Sequence, residues 1–403
     1  SMSYEFTELF KYCNIPNPLQ MNELNPVYSV YFAGKKEPYS IYKELNKLAQ
    51  EFADIEPDFQ AKAEKYLKSA GEIFHDTEHV IIKRNYDNLF QYAVALMTVP
   101  KKHAPKLIRS MWSELERHFD SEHVKVIFSL VAFFLGSTPF DTPAVYSLLN
   151  YTELKHDGYW NIKGGMYKIV EEIQKILVAR GVKFHFNTEI VSVDKTNEKI
   201  TSFTDATGKK WTADIFVCNA DAASFRGKIL NRSKFSEAKL DKKHWTLAPF
   251  TIYLGVKGKL DNLHHHNYFL GSNFKQYADN IFKLSVNPEK PYYYVNASSK
   301  SNPDCAPEGC ENLFILCPVP DRRYKNDWSD REALADTILK DMSERIGFDL
   351  IANRVTQTIY APDDWEGMFN LYRGSGLGLA HGLSQVAAMR PKIKTRNLTI
   401  CIT

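Results

Sequence analysis

Cysteine is scarce in this chain, with six residues in 403, which excludes a disulfide-built scaffold. Cys305 and Cys310 stand close together, but no second cysteine pair or nearby histidine set completes a zinc site. Reduced thiols in a cytoplasmic setting are the expectation. Charge of one sign is also lacking: 51 Lys and Arg against 48 Asp and Glu leave +3, which gives no nucleic-acid footprint. No apolar run approaches the roughly 20 residues that span a bilayer, and the N-terminus has no charged-then-apolar signal pattern. Four signatures are absent: the dinucleotide fingerprint G-x-G-x-x-G, the Walker loop, the G-x-S-x-G elbow and H-E-x-x-H. Without them, P-loop, α/β-hydrolase and zincin chemistries have no footing.

What is present is ordinary globular material. Hydrophobic content of 44% and charged content of 25% match a soluble protein, and the length suggests two or three domains with a large core. The most legible stretch is "WNIKGGMYKIVEEIQKILVARGVKFHFNTEI", from Trp160. Met166, Ile169, Val170, Ile173, Ile176 and Leu177 recur at helical spacing, and Gly181 follows as a left-handed stop. Val182, Phe184 and Phe186 then alternate with polar residues, which predicts a half-buried strand. Gly164 and Gly165 precede the helix without matching a phosphate loop, so a close-approach turn is the preferred reading.

Residues 1–150 read as mostly helical, with an extended piece around "VYSVYFAGKKEPYSI". Pro105 is placed to open a helix with the stripe Leu107, Ile108, Met111, Trp112, Leu115, Phe119. "VIFSLVAFFLG", Val126 to Gly136, is apolar nearly all round. A buried core helix is the first reading, and a helix in the membrane interface, with nearby lysines toward anionic headgroups, is the second. Short β segments follow at "IVSV", "KITSF" and "KKW". "ADIFVCNADAA" then runs from a strand into Asn219 and Asp221, the position at which open α/β sheets bind ligands, and a plain polar loop fits the same residues equally well. "FTIYLGV" and "PYYYVNASS" read as strands, "REALADTILKDMSERIG" as an amphipathic helix, and Leu398 to Ile402 as a terminal strand. His264, His265 and His266 invite a metal reading, but consecutive strand residues point to opposite faces, so no metal site is expected.

In order along the chain stand "FFLGSTPFDTPAVYSLL", "GYWNIKGGMYKI" with "VKFHFNTEI", "ADIFVCNAD", "HHHNYFL", "CAPEGCENLFILCPVP" and "YRGSGLGLAHGLSQVAAMRPKIKTRNL". Together they resemble the bacterial-type phytoene (carotenoid) desaturases, FAD-dependent flavoproteins of the amine-oxidase-like group. The resemblance covers nearly the whole chain. It implies a mixed α/β and α+β fold, with a partial Rossmann-like FAD-binding domain and an inserted substrate domain of mixed sheet and helices. The expected division is a helical membrane-contact and substrate region at 1–155, and part of the FAD-binding domain at 156–225. The substrate domain follows at 226–370, and a return to the FAD-binding domain with its last strand at 371–403.

By resemblance, FAD accepts a hydride from a long apolar carotenoid while a proton leaves the adjacent carbon. A membrane surface is then the expected partner, through peripheral association. Gly164 and Gly165 match the glycine pair beside the flavin, Ile190 a position facing adenine, and Asn219 and Asp221 the strand-end loop of the nucleotide domain. Arg390, with Gln385 and Pro391, matches the C-terminal pattern, and Arg109 an arginine near the flavin that stabilises charge better than it abstracts protons. The family's fingerprint for the FAD pyrophosphate has no counterpart here. "SMSYEFTELFKYC" looks downstream of it and "NLTICIT" looks like the last sheet strand, so weak FAD binding by a core lacking both outer pieces is the expectation. Other readings are a cofactor-free isoprenoid- or lipid-binding remnant, a carotenoid isomerase or oxygenase of the same fold, and a flavin oxidase of small amines.

Overall fold

A computed structural model describes residues 2–86, 88–282, 291–382, 385 and 397–400. The strands come in chain order as β1 (Met21–Glu23), β2 (Tyr28–Phe32), β3 (Tyr39–Ile41), β4 (Trp160–Ile162), β5 (Ile190–Thr196), β6 (Lys199–Asp205) and β7 (Lys210–Trp211). They continue as β8 (Phe216–Cys218), β9 (Ala248–Lys257), β10 (His266–Leu270), β11 (Tyr293–Asn296), β12 (Cys310–Val319), β13 (Arg354–Tyr360) and β14 (Leu398–Ile400).

The main sheet has seven strands in the order β13-β9-β12-β11-β10-β2-β3. Only β10 and β2 run parallel, and this pairing joins residues 28–32 to strands more than two hundred positions later. β12 alternates between its two faces along its whole length. Leu313, Ile315, Cys317 and Val319 face the helix Arg331–Ile346, whose Ala335, Ile338, Leu339 and Met342 are fully buried. Phe314, Leu316 and Pro318 face the other way. Both faces are covered, so apolar residues occupy both parities and the strand reads as a continuous run. Arg345 donates to the Leu270 carbonyl at 2.9 Å and the Tyr293 hydroxyl donates to Asp341 at 2.7 Å, fixing the helix on the sheet.

The opposite face packs on helices. Val126, Ile127, Phe128, Val131 and Ala132 are buried against Tyr28, Val30, Tyr268 and Leu270, so this segment is the core helix predicted first. It divides into Glu122–Ser129 and Val131–Phe134. The helix expected from Pro105 also divides, into Ala104–Ile108 and Met111–Leu115, because Ser110 takes an extended conformation and caps the second piece through Ser113 N. Met111, Leu115 and Phe119 are buried as the stripe requires, whereas Ile108 is outside it and exposed.

A smaller region holds the helix Tyr167–Ala179, the antiparallel sheet β5-β6-β7 and the parallel pair β8–β14. Gly181 sits at φ 83°, and Val182 N bonds the Leu177 carbonyl, closing the helix as predicted. The strand predicted at Val182–Phe186 is not one. The run is exposed and has no ladder partner among the described residues, and alternation without a neighbouring strand makes no sheet.

Candidate functional site

Between the main sheet and the helices Glu122–Ser129 and Val131–Phe134 lies a cavity of about 420 Å³. Leu130, Phe133 and Phe134 form its roof; Tyr268, Tyr294 and Leu316 form its floor; Leu247, Gly376 and Leu377 close one end. Among the described residues no charged side chain lines it. The aromatic wall is stiffened by ring contacts: Tyr277 stacks on Tyr292 at 3.8 Å, and Tyr268 meets Tyr294 at 5.3 Å. The Tyr292 hydroxyl donates to the Gly271 and Ser272 carbonyls, which leaves its ring face for the cavity. Burial raises the phenol pKa values of Tyr268 and Tyr294 well above the ordinary value, so both stay protonated donors.

The cavity floor becomes polar one pleat further along the sheet. Tyr268 pairs across strands with Tyr294, and His266 with Asn296. His266 Nδ1 lies 2.5 Å from the Tyr294 hydroxyl, Asn296 Nδ2 lies 2.9 Å from His265 Nε2, and His265 Nδ1 bonds Ser301. Burial lowers His265 to about 4, and burial with the neighbouring His265 lowers His266 to about 3. His264 is engaged through its backbone with Asn267. No group of metal-ligating side chains converges among the described residues. Beside this cluster, Tyr159 lies edge-on to His266 and donates to the carboxyl of Glu153. Glu153 is wholly buried, its Oε2 has no partner, and burial pushes its pKa up to about 7 against the lowering effect of the Tyr159 bond.

The residues expected from the sequence fall into separate places. Gly164 and Gly165 form a turn with φ of 86° and 88°, and Gly164 N donates to Asn302 Oδ1 at 2.9 Å. Asn302 is buried and bonds Asn161 on β4, whose own Nδ2 is buried without a partner. The pair thus makes a close-approach turn onto the edge of the larger unit. Gly165→Ala is expected to cost about 1–2 kcal/mol, since a Cβ disfavours this left-handed backbone; a lowered urea midpoint at unchanged slope checks it. Ile190 opens β5 opposite Asp205 and is half-buried. Asn219 is exposed just past β8, and its side chain has no hydrogen bond among the described residues. Asp221 is buried, caps the next helical turn through Ser224 N at 2.7 Å, and is raised in pKa by burial. Neither the glycine pair nor Asn219 lines the cavity.

Arg109 is half-buried and bound to Glu114, and it does not line the cavity. Arg390 and Pro391 lie outside the described residues, and Gln385 clips the His244 backbone at 2.8 Å. Glu153 and the Tyr294–His266 pair were not singled out from sequence for this site. A carboxylate inside the apolar context "SLLNYTEL" and the adjoining runs "HHHNYFL" and "YYYVN" were the available signals.

The model of the family described as flavin containing amine oxidoreductase matches residues 2–395. The chain belongs to this family. Among similar proteins, the zeta-carotene-forming phytoene desaturase of Myxococcus xanthus is 29% identical over 380 residues, covering 94% of this chain and 72% of that protein. A phytoene desaturase of Fusarium fujikuroi is 26% identical, covering 93% and 69%, and a carotenoid 3,4-desaturase of Haloarcula japonica is 26% identical, covering 92% and 74%. Two solved structures show the same fold. An oxidoreductase from Methanosarcina mazei gives a TM-score of 0.56 at 12% identity, covering 98% of this chain and 79% of that one. Putrescine oxidase with putrescine gives 0.59 at 12%, covering 99% and 80%. The mixed fold with an amine-oxidase-type flavoprotein architecture is therefore as expected. Among the described residues no helix is long and apolar enough to cross a membrane.

Proposed function

We propose that this flavoprotein-family chain desaturates a carotenoid of the phytoene type. The observation that carries the reading is the cavity lined, among the described residues, by no charged side chain, in a chain similar to phytoene and carotenoid desaturases. A small cationic amine would require an acidic or polar cage to offset its desolvation. A polyene requires only shape and apolar walls, which the Phe133, Phe134, Tyr268 and Tyr294 rings supply. FAD, when bound, supplies the hydride acceptor. The free amide of Asn219 and the Asp221 carboxyl suit the ribose part of such a group at a strand's carboxyl end, and the Gly164–Gly165 turn, its amides already bonded to Asn302 and Ile162, offers close approach without a side chain. We assign residues 156–225 and 371–403 to the flavin side and 226–370 to the substrate side, with 1–155 completing the latter.

The test loads the protein with FAD and supplies phytoene in vesicles. New polyene absorption bands at longer wavelength are expected. A protein that takes up FAD and phytoene yet forms no such bands overturns the reading.

The same reading places the protein at a membrane surface, and the helix Leu89–Thr98 is the element suited to it. None of its residues is buried, and Phe90 and Met97 are 78% and 84% exposed. Lys101 and Lys102 follow directly, where anionic headgroups would meet them. The second reading of Val126–Gly136, as an interfacial helix, gives way here, because residues 126–132 of that segment are buried. The variant Phe90→Glu with Met97→Glu is expected to reduce co-sedimentation with anionic vesicles at least tenfold; unchanged sedimentation refutes this placement.

A further inference from the structure

We propose that the phenol of Tyr268 donates a hydrogen bond to an oxygen atom at the end of the bound polyene, so that the preferred substrate carries a terminal hydroxyl or carbonyl group. The inference deepens the functional reading above and rests on it. It concerns which chain end the cavity selects and places no step of the reaction there.

Five tyrosines line the cavity, and their hydroxyls differ in what they meet. Tyr292 donates to the Gly271 and Ser272 carbonyls and Tyr293 to Asp341. The Tyr294 hydroxyl lies between His266 Nδ1 at 2.5 Å and Asn296 Nδ2 at 3.3 Å. Tyr277 makes no hydrogen bond, but its oxygen is fully enclosed by protein and its ring is stacked on Tyr292. Tyr268 is the fifth. Its hydroxyl also has no partner among the described residues, yet it is not one of the enclosed atoms. The residue keeps 7% of its surface accessible, and the space it borders is the cavity. Burial holds the phenol protonated. What it presents is therefore an O–H with nothing to receive it.

Position decides which part of a ligand meets this donor. The floor residues come from β9, β12, β11 and β10, four adjacent strands, so the floor measures about 14 Å at about 4.8 Å per strand. That length holds a portion of a long polyene. Pro249 marks the β9 margin and Tyr268 the β10 margin. Beyond Tyr268 stand Tyr28, edge-on at 5.2 Å, and Glu153, both buried and neither lining the cavity. A chain laid across the floor ends at Tyr268. None of the residues assigned above to the flavin lines the cavity, which agrees with a section of the substrate path that binds an end.

The consequence is discrimination. A hydrocarbon end covering the hydroxyl would strip it of water and return no acceptor, whereas an oxygen-bearing end replaces the lost bond. A site with one such donor rejects a ligand lacking the matching acceptor more strongly than an apolar wall rejects an added methylene. Phe134, 6.1 Å from the Tyr268 ring, keeps the surroundings apolar, so the phenol is the feature that tells two otherwise equal chains apart.

The experiment needs no cofactor. Wild type and Tyr268→Phe are equilibrated with vesicles holding either geranylgeraniol, an acyclic polyene alcohol, or the hydrocarbon that lacks only its hydroxyl. The protein-bound fraction is measured after correction for partition into the lipid. Wild type is expected to retain the alcohol at least about tenfold better, and Tyr268→Phe to lose that preference while holding the hydrocarbon as well as wild type does. Equal retention of the two by wild type, or a preference that survives in Tyr268→Phe, overturns the proposal and leaves the polyene reading standing. Retention of neither probe by wild type removes the polyene reading, and the proposal with it. A second measurement covers a variant that fails to fold. With geranylgeranial bound to wild type, the C=O stretching band should lie below its position in hexane, as a hydrogen-bonded carbonyl requires, and Tyr268→Phe should raise it again. A wild-type band at the hexane position, or a lowered band that Tyr268→Phe leaves in place, shows that the phenol does not hold the oxygen and overturns the proposal.

Discussion

Between pH 4 and pH 8, Glu153→Gln should gain about 3 kcal/mol of stability relative to wild type. The cause is the environment of the carboxyl: fully buried, one oxygen bonded by Tyr159, the other with no partner, and Tyr28, Tyr66 and Tyr268 close around it. Burial raises its pKa to about 7 from an ordinary 4.5. Across that interval the folded protein keeps a proton that the unfolded chain releases, so wild-type stability falls as pH rises from about 4.5 to about 7 and is level above that. A displacement of this size corresponds to about 3 kcal/mol. Glutamine copies the neutral acid and cannot ionise, so its curve lacks the fall. Its amide leaves a buried donor where the partnerless oxygen was, which lowers the variant by a constant amount at every pH. The slope, not the offset, is therefore the diagnostic. Urea unfolding of both proteins at several pH values measures it, and parallel curves would show that Glu153 titrates as an ordinary surface acid.

How much of this was legible in the sequence depends on distance along the chain. The helix Tyr167–Ala179 and its stop at Gly181 were legible, because apolar spacing and a left-handed glycine are local signals. So were the strands β9 and β11 and the helix Arg331–Ile346. The parallel pairing of β2 with β10 was not, since nothing local in "VYSVYF" names a partner so far away. The predicted strand at Val182–Phe186 failed for the converse reason: its alternation is correct, but no strand lies beside it among the described residues. At the site, the glycine pair was read as a close-approach turn from its type alone, and the Asn302 bond agrees. The polar row was out of reach. His266, Tyr294 and Glu153 come from three segments, and only the register of β10 against β11 sets the first two together. Arg109 shows the opposite hazard: a cation matched by position is here held by a carboxylate five residues on.

That carboxylate carries the other large effect. Glu114→Gln is expected to destabilise the protein by about 3 kcal/mol at pH 7, at the lower end for breaking a buried ion pair because Arg109 is partly exposed and screened. Glu114 is buried between two cations, Arg109 at 2.5 Å and Lys106 at 3.1 Å, with the His118 ring at 3.7 Å. Burial alone would raise its pKa, but the bonds from His118, Arg109 and Lys106 outweigh it and hold the group at about 2. The stabilisation is therefore complete above about 4.5 and lost as pH falls toward 2, so the variant and wild type should converge in acid. Lys106 is itself buried, and in the variant its charge keeps only the Ser69 hydroxyl at 2.8 Å and a neutral amide. Adding Lys106→Met should then restore most of the loss, since an apolar replacement removes the unpaired charge; failure to restore would place the cost in packing around Leu115 instead. The two buried glutamates act with opposite sign. Glu114 withdraws support below about pH 4.5 and Glu153 above it. Together they bias the wild-type stability maximum toward mildly acidic pH, and each single variant should move that maximum in its own direction, Glu153→Gln upward and Glu114→Gln downward.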